Sequence, residues 1–239
     1  MKLFLYALLL CVAPALVGCG GGNTNTSTSV QPTSDASPAP QVASSPAQSL
    51  PKIIAFGDSL TAGLGLSAAE SYPALLQKKL DADGYKYEVV NAGASGDTSA
   101  TGLRRIDWSL EQGDVRVVIL ELGANDFLRG QPVSETRKNL SGIIERTQAR
   151  GAEVLLAGMY TPTSAGARYE REIGELFQTL AREHNVALIP FFLEGVAGQE
   201  SLNQPDGIHP NQEGTRIVAE TVYKYLRPIL DKQKEQAGN

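Results

Sequence analysis

From Lys52 onward, short apolar runs alternate with longer stretches in which apolar residues recur every third or fourth position. Continuous apolar runs bounded by glycine or polar residues predict strands buried on both faces, and the longer period predicts amphipathic helices. The strand pattern falls at 52–57, 87–91, 115–122, 153–158 and 186–189. Helices are expected between these runs. The first opens at Ser71, with Pro73 in its first turn and Leu75, Leu76 and Leu80 inward. The next covers 99–112 with Leu103, Ile106 and Leu110 inward, and one capped by Ser134 runs to about 149 with Leu140, Ile143, Ile144 and Thr147 inward. A fourth covers 168–183 and a last one 211–230, the latter burying Ile217, Val218, Val222, Tyr225, Leu226 and Ile229. Residues 61–69, 92–98, 127–132 and 191–210 read as loops. Five strands alternating with helices predict an α/β fold, a doubly wound, flavodoxin-like parallel sheet.

The first 50 residues do not follow this pattern. Lys2 precedes the apolar run 3–13, which is too short to span a bilayer and is followed by small residues, as in a secretory signal peptide. The run Leu16-Val17-Gly18-Cys19 resembles a bacterial lipobox, which implies a diacylated Cys19 as the mature N-terminus. Residues 1–18 are then a signal peptide, 19–50 a lipidated cysteine with a disordered tether, 51–233 the folded domain and 234–239 a polar tail. The Gly/Ser/Thr/Pro-rich tether has too little apolar content to order itself and spans roughly 30 Å as a coil. Gly20 after the cysteine, in place of Asp, suits the periplasmic face of an outer membrane. Cys11 and Cys19 are the only cysteines, so the mature domain relies on core packing without disulfides. A net charge of −5 offers no basic footprint for nucleic acid.

Candidate chemistry gathers at three strand ends, 57–59, 95–97 and 123–125, and at Asp206-Gly207-Ile208-His209-Pro210 ahead of the last helix. In a parallel sheet all carboxyl ends share one edge, where open α/β sheets bind ligands. Acyl transfer needs a nucleophile, a base, a carboxylate that orients the base, and donors for the oxyanion. Ser59 suits the first role, His209 the second and Asp206 the third. The N–H groups of Ser59 and Gly96 and the side-chain amide of Asn125 suit the oxyanion hole, Gly96 because no Cβ blocks the main chain.

These blocks resemble the SGNH (GDSL-type) hydrolases: Gly57-Asp58-Ser59-Leu60, Gly96, Gly123-Ala124-Asn125-Asp126 and Asp206-x-x-His209 occur in order. The stretches 91–92, 95–98, 121–126, 128–130, 190–192 and 206–211 are most similar to the bacterial periplasmic branch of acyl-thioesterases, lysophospholipases and arylesterases. The resemblance covers about 52–230 and implies a three-layer α/β/α sandwich. It implies a serine ester hydrolase that works through an acyl-enzyme, without cofactor or metal, on a small-molecule or lipid acyl ester. The alternatives are a cell-envelope polysaccharide O-deacetylase and a catalytically silent lipid-anchored binding protein. A monomer, held to the membrane by its lipid, is expected. Loops 159–168 and 193–204 depart from the branch and are expected to shape the acyl pocket. Phe127 and Leu128, next to Asn125, are expected to wall it on a mobile loop. Asp58 and Asp126 are expected to support their turns, His184 to face solvent, and Trp108 to pack. Two histidines and no Cys/His cluster argue against a catalytic zinc. No Gly-x-Ser-x-Gly elbow is present, unlike the ordinary α/β-hydrolases.

Overall fold

The computed structural model describes residues 49–160 and 166–237. Five strands, β1 (Lys52–Gly57), β2 (Glu88–Gly93), β3 (Val115–Glu121), β4 (Glu153–Ala157) and β5 (Ala187–Ile189), form one parallel sheet in the order β2-β1-β3-β4-β5. The helices are α1 (Ser59–Ala62), α2 (Tyr72–Ala82), α3 (Ser99–Leu110), α4 (Ala124–Leu128), α5 (Val133–Ala149), α6 (Ala167–His184) and α7 (Gln212–Ala237). Helix α2 packs with α7, and α3 with α5 and α5 with α6 form the other layer. This is the flavodoxin-like strand order, which reverses direction beside β1. The chain leaves β1 for β2 on one side and reaches β3 on the other, so a crevice opens past the carboxyl ends of β1 and β3.

The core sits where the sequence is continuously apolar. Ile53, Ile54, Ala55 and Phe56 of β1 and Val117, Val118, Ile119 and Leu120 of β3 are fully buried. Helix α7 presents Val218, Val222, Leu226 and Leu230 to the same core and continues past 230 to Ala237, with Pro228 inside it.

Several local expectations are corrected. Residues 124–128 are helix α4, so Asn125, Phe127 and Leu128 stand on a helical turn and not on a loop. Helix α5 starts at Val133 after Pro132, so Ser134 is inside it and not its cap. The proline fixes the chain entering the first turn, where a missing N–H costs nothing. His184 does not face solvent freely: its Nε2 is 2.8 Å from Ser141 Oγ. Trp108 is 67% exposed and contributes no core packing. The signal peptide, Cys19, the tether up to residue 48, loop residues 161–165 and the last two residues of the tail lie outside the described residues.

Candidate active site

The turn after β1 is built around buried acids. Asp58 is the N-cap of α1, its Oδ1 accepting the Leu60 N–H at 3.0 Å. It therefore supports its turn as expected. Glu121, the last residue of β3, lies beneath this turn. Its Oε2 accepts the Asp58 N–H at 3.2 Å and the Thr61 hydroxyl at 2.7 Å. These two bonds flank Ser59 in the sequence and aim it into the crevice. They also explain Gly57, where a Cβ would collide with the Thr61 hydroxyl and with Glu121.

Arg105 of α3 closes the same region from the side. It donates to the carbonyls of Gly57 and Ala92, each at 2.8 Å, and pairs with Asp97. Its guanidinium lies 3.9 Å from the centre of the Phe56 ring. One planar fork thus ties the ends of β1 and β2 to the loop bearing Gly96. Asp126 accepts the Ser99 N–H at 2.8 Å and also bonds its hydroxyl, docking α4 on the start of α3. Asp126 thus supports the start of α3 and not its own turn.

The fourth piece is the segment before α7. Asn203 and Pro210 form an antiparallel bridge, and the Gln204 N–H donates to the His209 carbonyl at 2.8 Å. The Gln204 amide donates to the carbonyls of Leu64 and Pro210, fixing this hairpin to the loop after α1. Gly207, with φ +75°, makes the tight turn between Asp206 and His209.

These pieces meet as expected for the first three residues. Ser59 Oγ is 2.9 Å from His209 Nε2, and His209 Nδ1 is 2.8 Å from Asp206 Oδ2. Asp206 Oδ1 accepts the N–H groups of Ile208 and His209, each at 3.0 Å. Those N–H bonds and the imidazole hold the Asp206 carboxyl down at about 2. An ionised Asp206 can only accept, so His209 Nδ1 carries the proton and Nε2 is left to accept from Ser59.

Gly96 lies on the same edge, at the mouth of the crevice. A Cβ there would meet nothing closer than Arg129 at 3.9 Å, so space is not what demands glycine; its φ of +84° is. Asn125 is also in place, but both its amide hydrogens are engaged. Its Nδ2 donates to Asp58 Oδ2 at 3.0 Å and to the Asp97 carbonyl at 2.9 Å. Burial pushes the Asp58 carboxyl up to about 6, against the lowering effect of the Leu60 N–H and His209.

A cavity of about 670 Å³ opens over Ser59 and His209. Its walls include Leu60, Leu64, Met159, Tyr160, Phe191, Leu193 and Ile208 together with Phe127 and Leu128. Phe127 is buried against the edges of Phe177 and Tyr169, whereas Leu128 is exposed at the rim. The Tyr160 ring packs against Phe191 at a tilt of 56°, with ring centres 4.7 Å apart. Both departing loops contribute, through Met159, Tyr160, Leu193, Ala197, Gly198 and Asn203. Among the described residues, no group of three or more His, Cys, Asp or Glu is arranged to hold a metal ion.

Sequence reading missed Arg105, Glu121 and Gln204. Glu121 left one signal, a lone carboxyl at the end of a continuous apolar run. Arg105 and Gln204 left none, because nothing local reveals the Gly57 and Leu64 carbonyls they reach 48 and 140 positions away.

Residues 55–217 match the model of the GDSL-like lipase/acylhydrolase family. The chain is 42% identical over 178 residues to esterase TesA of Pseudomonas aeruginosa, covering 74% of this chain and 89% of that one. It is 40% identical over 179 residues to thioesterase 1/protease 1/lysophospholipase L1 of Escherichia coli, covering 75% and 85%. The crystal structure of the psychrotrophic esterase EstA from Pseudoalteromonas sp., inhibited by monoethylphosphonate, matches with a TM-score of 0.72 at 36% identity. That match covers 75% of this chain and 98% of EstA.

Proposed function

The chain belongs to the GDSL-like lipase/acylhydrolase family, and from that premise we propose that it is a serine ester hydrolase cleaving acyl esters or thioesters with Ser59 as nucleophile. The observation that carries this is the continuous relay from Ser59 Oγ through His209 to Asp206, at 2.9 and 2.8 Å. Ser59 Oγ attacks the carbonyl carbon while His209 Nε2 takes its proton. The C–O or C–S bond breaks when that proton passes to the leaving group, and a water activated by His209 then releases the acyl chain. The Asp206 carboxylate stabilises the imidazolium formed in each half-reaction.

The oxyanion is assigned to the Ser59 and Gly96 N–H groups and to Asn125. Ser59 opens α1, where backbone N–H groups have no partner within the helix. For Asn125 to contribute, the oxyanion must compete with the Asp97 carbonyl or Asp58 for an amide hydrogen. The apolar cavity favours an acyl chain longer than acetyl, which weighs against a polysaccharide deacetylase. The lipobox-like run at Cys19 supports export and lipid anchoring, and the −5 charge gives no reason to invoke nucleic acid.

Ser59→Ala should abolish turnover of p-nitrophenyl esters while the thermal unfolding midpoint stays near that of the unaltered protein. Residual ester turnover in the purified variant at the unaltered protein's rate would overturn the nucleophile.

A further inference from the structure

Glu121 has no place in the relay, yet it is fully buried directly under the nucleophile turn. One of its oxygens holds the residues on either side of Ser59, through the Asp58 N–H and the Thr61 hydroxyl. The other, Oε1, is buried with no hydrogen-bond partner among the described residues. The ionisable groups that face it are the Asp58 carboxyl and the phenol of Tyr72, both acidic groups. A carboxylate in that position would be a buried charge with no cation against it and a second carboxyl beside it, which is strongly unfavourable.

We propose that Glu121 is a positioning residue for the nucleophile and acts as a neutral carboxylic acid, its Oε2 bracing the turn from both sides of Ser59. Burial and the neighbouring Asp58 both push its carboxyl well above the usual range, in agreement with the neutral form. The neutral acid keeps the acceptor that the turn needs and removes a charge the core cannot solvate. It also leaves Asp58 free to ionise without a second buried anion next to it.

This inference rests on the esterase reading for its kinetic arm only. Glu121→Gln keeps the acceptor and the shape, and Glu121→Ala removes both. With a p-nitrophenyl ester, Glu121→Gln should retain kcat within about threefold, whereas Glu121→Ala should lose roughly 10²-fold in kcat with little change in KM, as for a misplaced nucleophile. The rate of labelling by a fluorophosphonate probe should fall in parallel. Equal impairment of Glu121→Gln and Glu121→Ala would overturn the neutral acid, and full activity of a folded Glu121→Ala would overturn the positioning role. The infrared difference spectrum between the unaltered protein and Glu121→Gln at neutral pH should show a protonated carboxyl band. Its replacement by a carboxylate band would overturn the proposal even if Glu121→Ala does not fold. Absence of ester turnover in the unaltered protein would count against the esterase reading and leave the infrared result intact.

Discussion

At the scale of single residues, two acids near Ser59 are perturbed in opposite directions by opposite causes. Asp206 is exposed and multiply hydrogen-bonded, so it stays ionised well below neutral pH. Asp58 is buried, and its carboxyl rises from 3.8 to about 6. In the window from about 4 to 6 the folded protein holds a proton on Asp58 that the unfolded chain has released. This contribution to stability is therefore complete below that window and is lost as pH rises through it. Roughly two pH units correspond to about 3 kcal/mol. Denaturant unfolding should show stability declining from pH 4 to 6.5 in the unaltered protein, and Asp58→Asn should flatten that decline. An unchanged slope in Asp58→Asn would mean that the carboxyl titrates normally.

At the scale of elements, Arg105 ties the carboxyl ends of β1 and β2, already paired by their own ladder, to the Gly96 loop. A lysine offers one compact point charge in place of a planar fork and cannot reproduce the three directions in which Arg105 meets the two carbonyls and Asp97. Arg105→Lys should lower kcat about tenfold or more, by displacing Gly96 relative to Ser59, with a smaller effect on KM. Unchanged ester kinetics would remove Arg105 from the positioning scheme. Helix α4 carries the second prediction. Leu128 stands exposed at the cavity rim, so Leu128→Ala should weaken turnover of medium-chain esters relative to acetyl esters in a graded panel. An unaltered chain-length profile would show that acyl groups do not use this wall. These elements also mark what sequence reading can reach. Asp206 and His209 were legible because they share one short turn, and Ser59, Gly96 and Asn125 because parallel strands end on one edge. Helix α4 was not, because Gly123, Asn125 and Asp126 are turn formers and five residues are too few to show a helical period. Arg105 reaches a carbonyl 48 positions away and Glu121 a hydroxyl 60 positions away, contacts that no local pattern encodes. Trp108 and His184 were misjudged for the same reason: residue type alone does not say which face of a helix a neighbour will cover.

For the whole molecule, among the described residues the chain joins the hydrogen-bonded network at Pro51, whose carbonyl accepts the Glu88 N–H at 2.9 Å. A chain starting at Ser49 should therefore keep its unfolding midpoint and its ester turnover in solution. Loss of either would mean that earlier residues belong to the fold. The direction of β1 has a practical corollary. Its first residue lies at the amino edge of the sheet and Ser59 at the other, separated by a strand of roughly 20 Å. The polypeptide ahead of Lys52 therefore joins the domain at the edge opposite the catalytic mouth. Immobilisation through that end attaches the domain at the edge of the sheet away from the catalytic crevice.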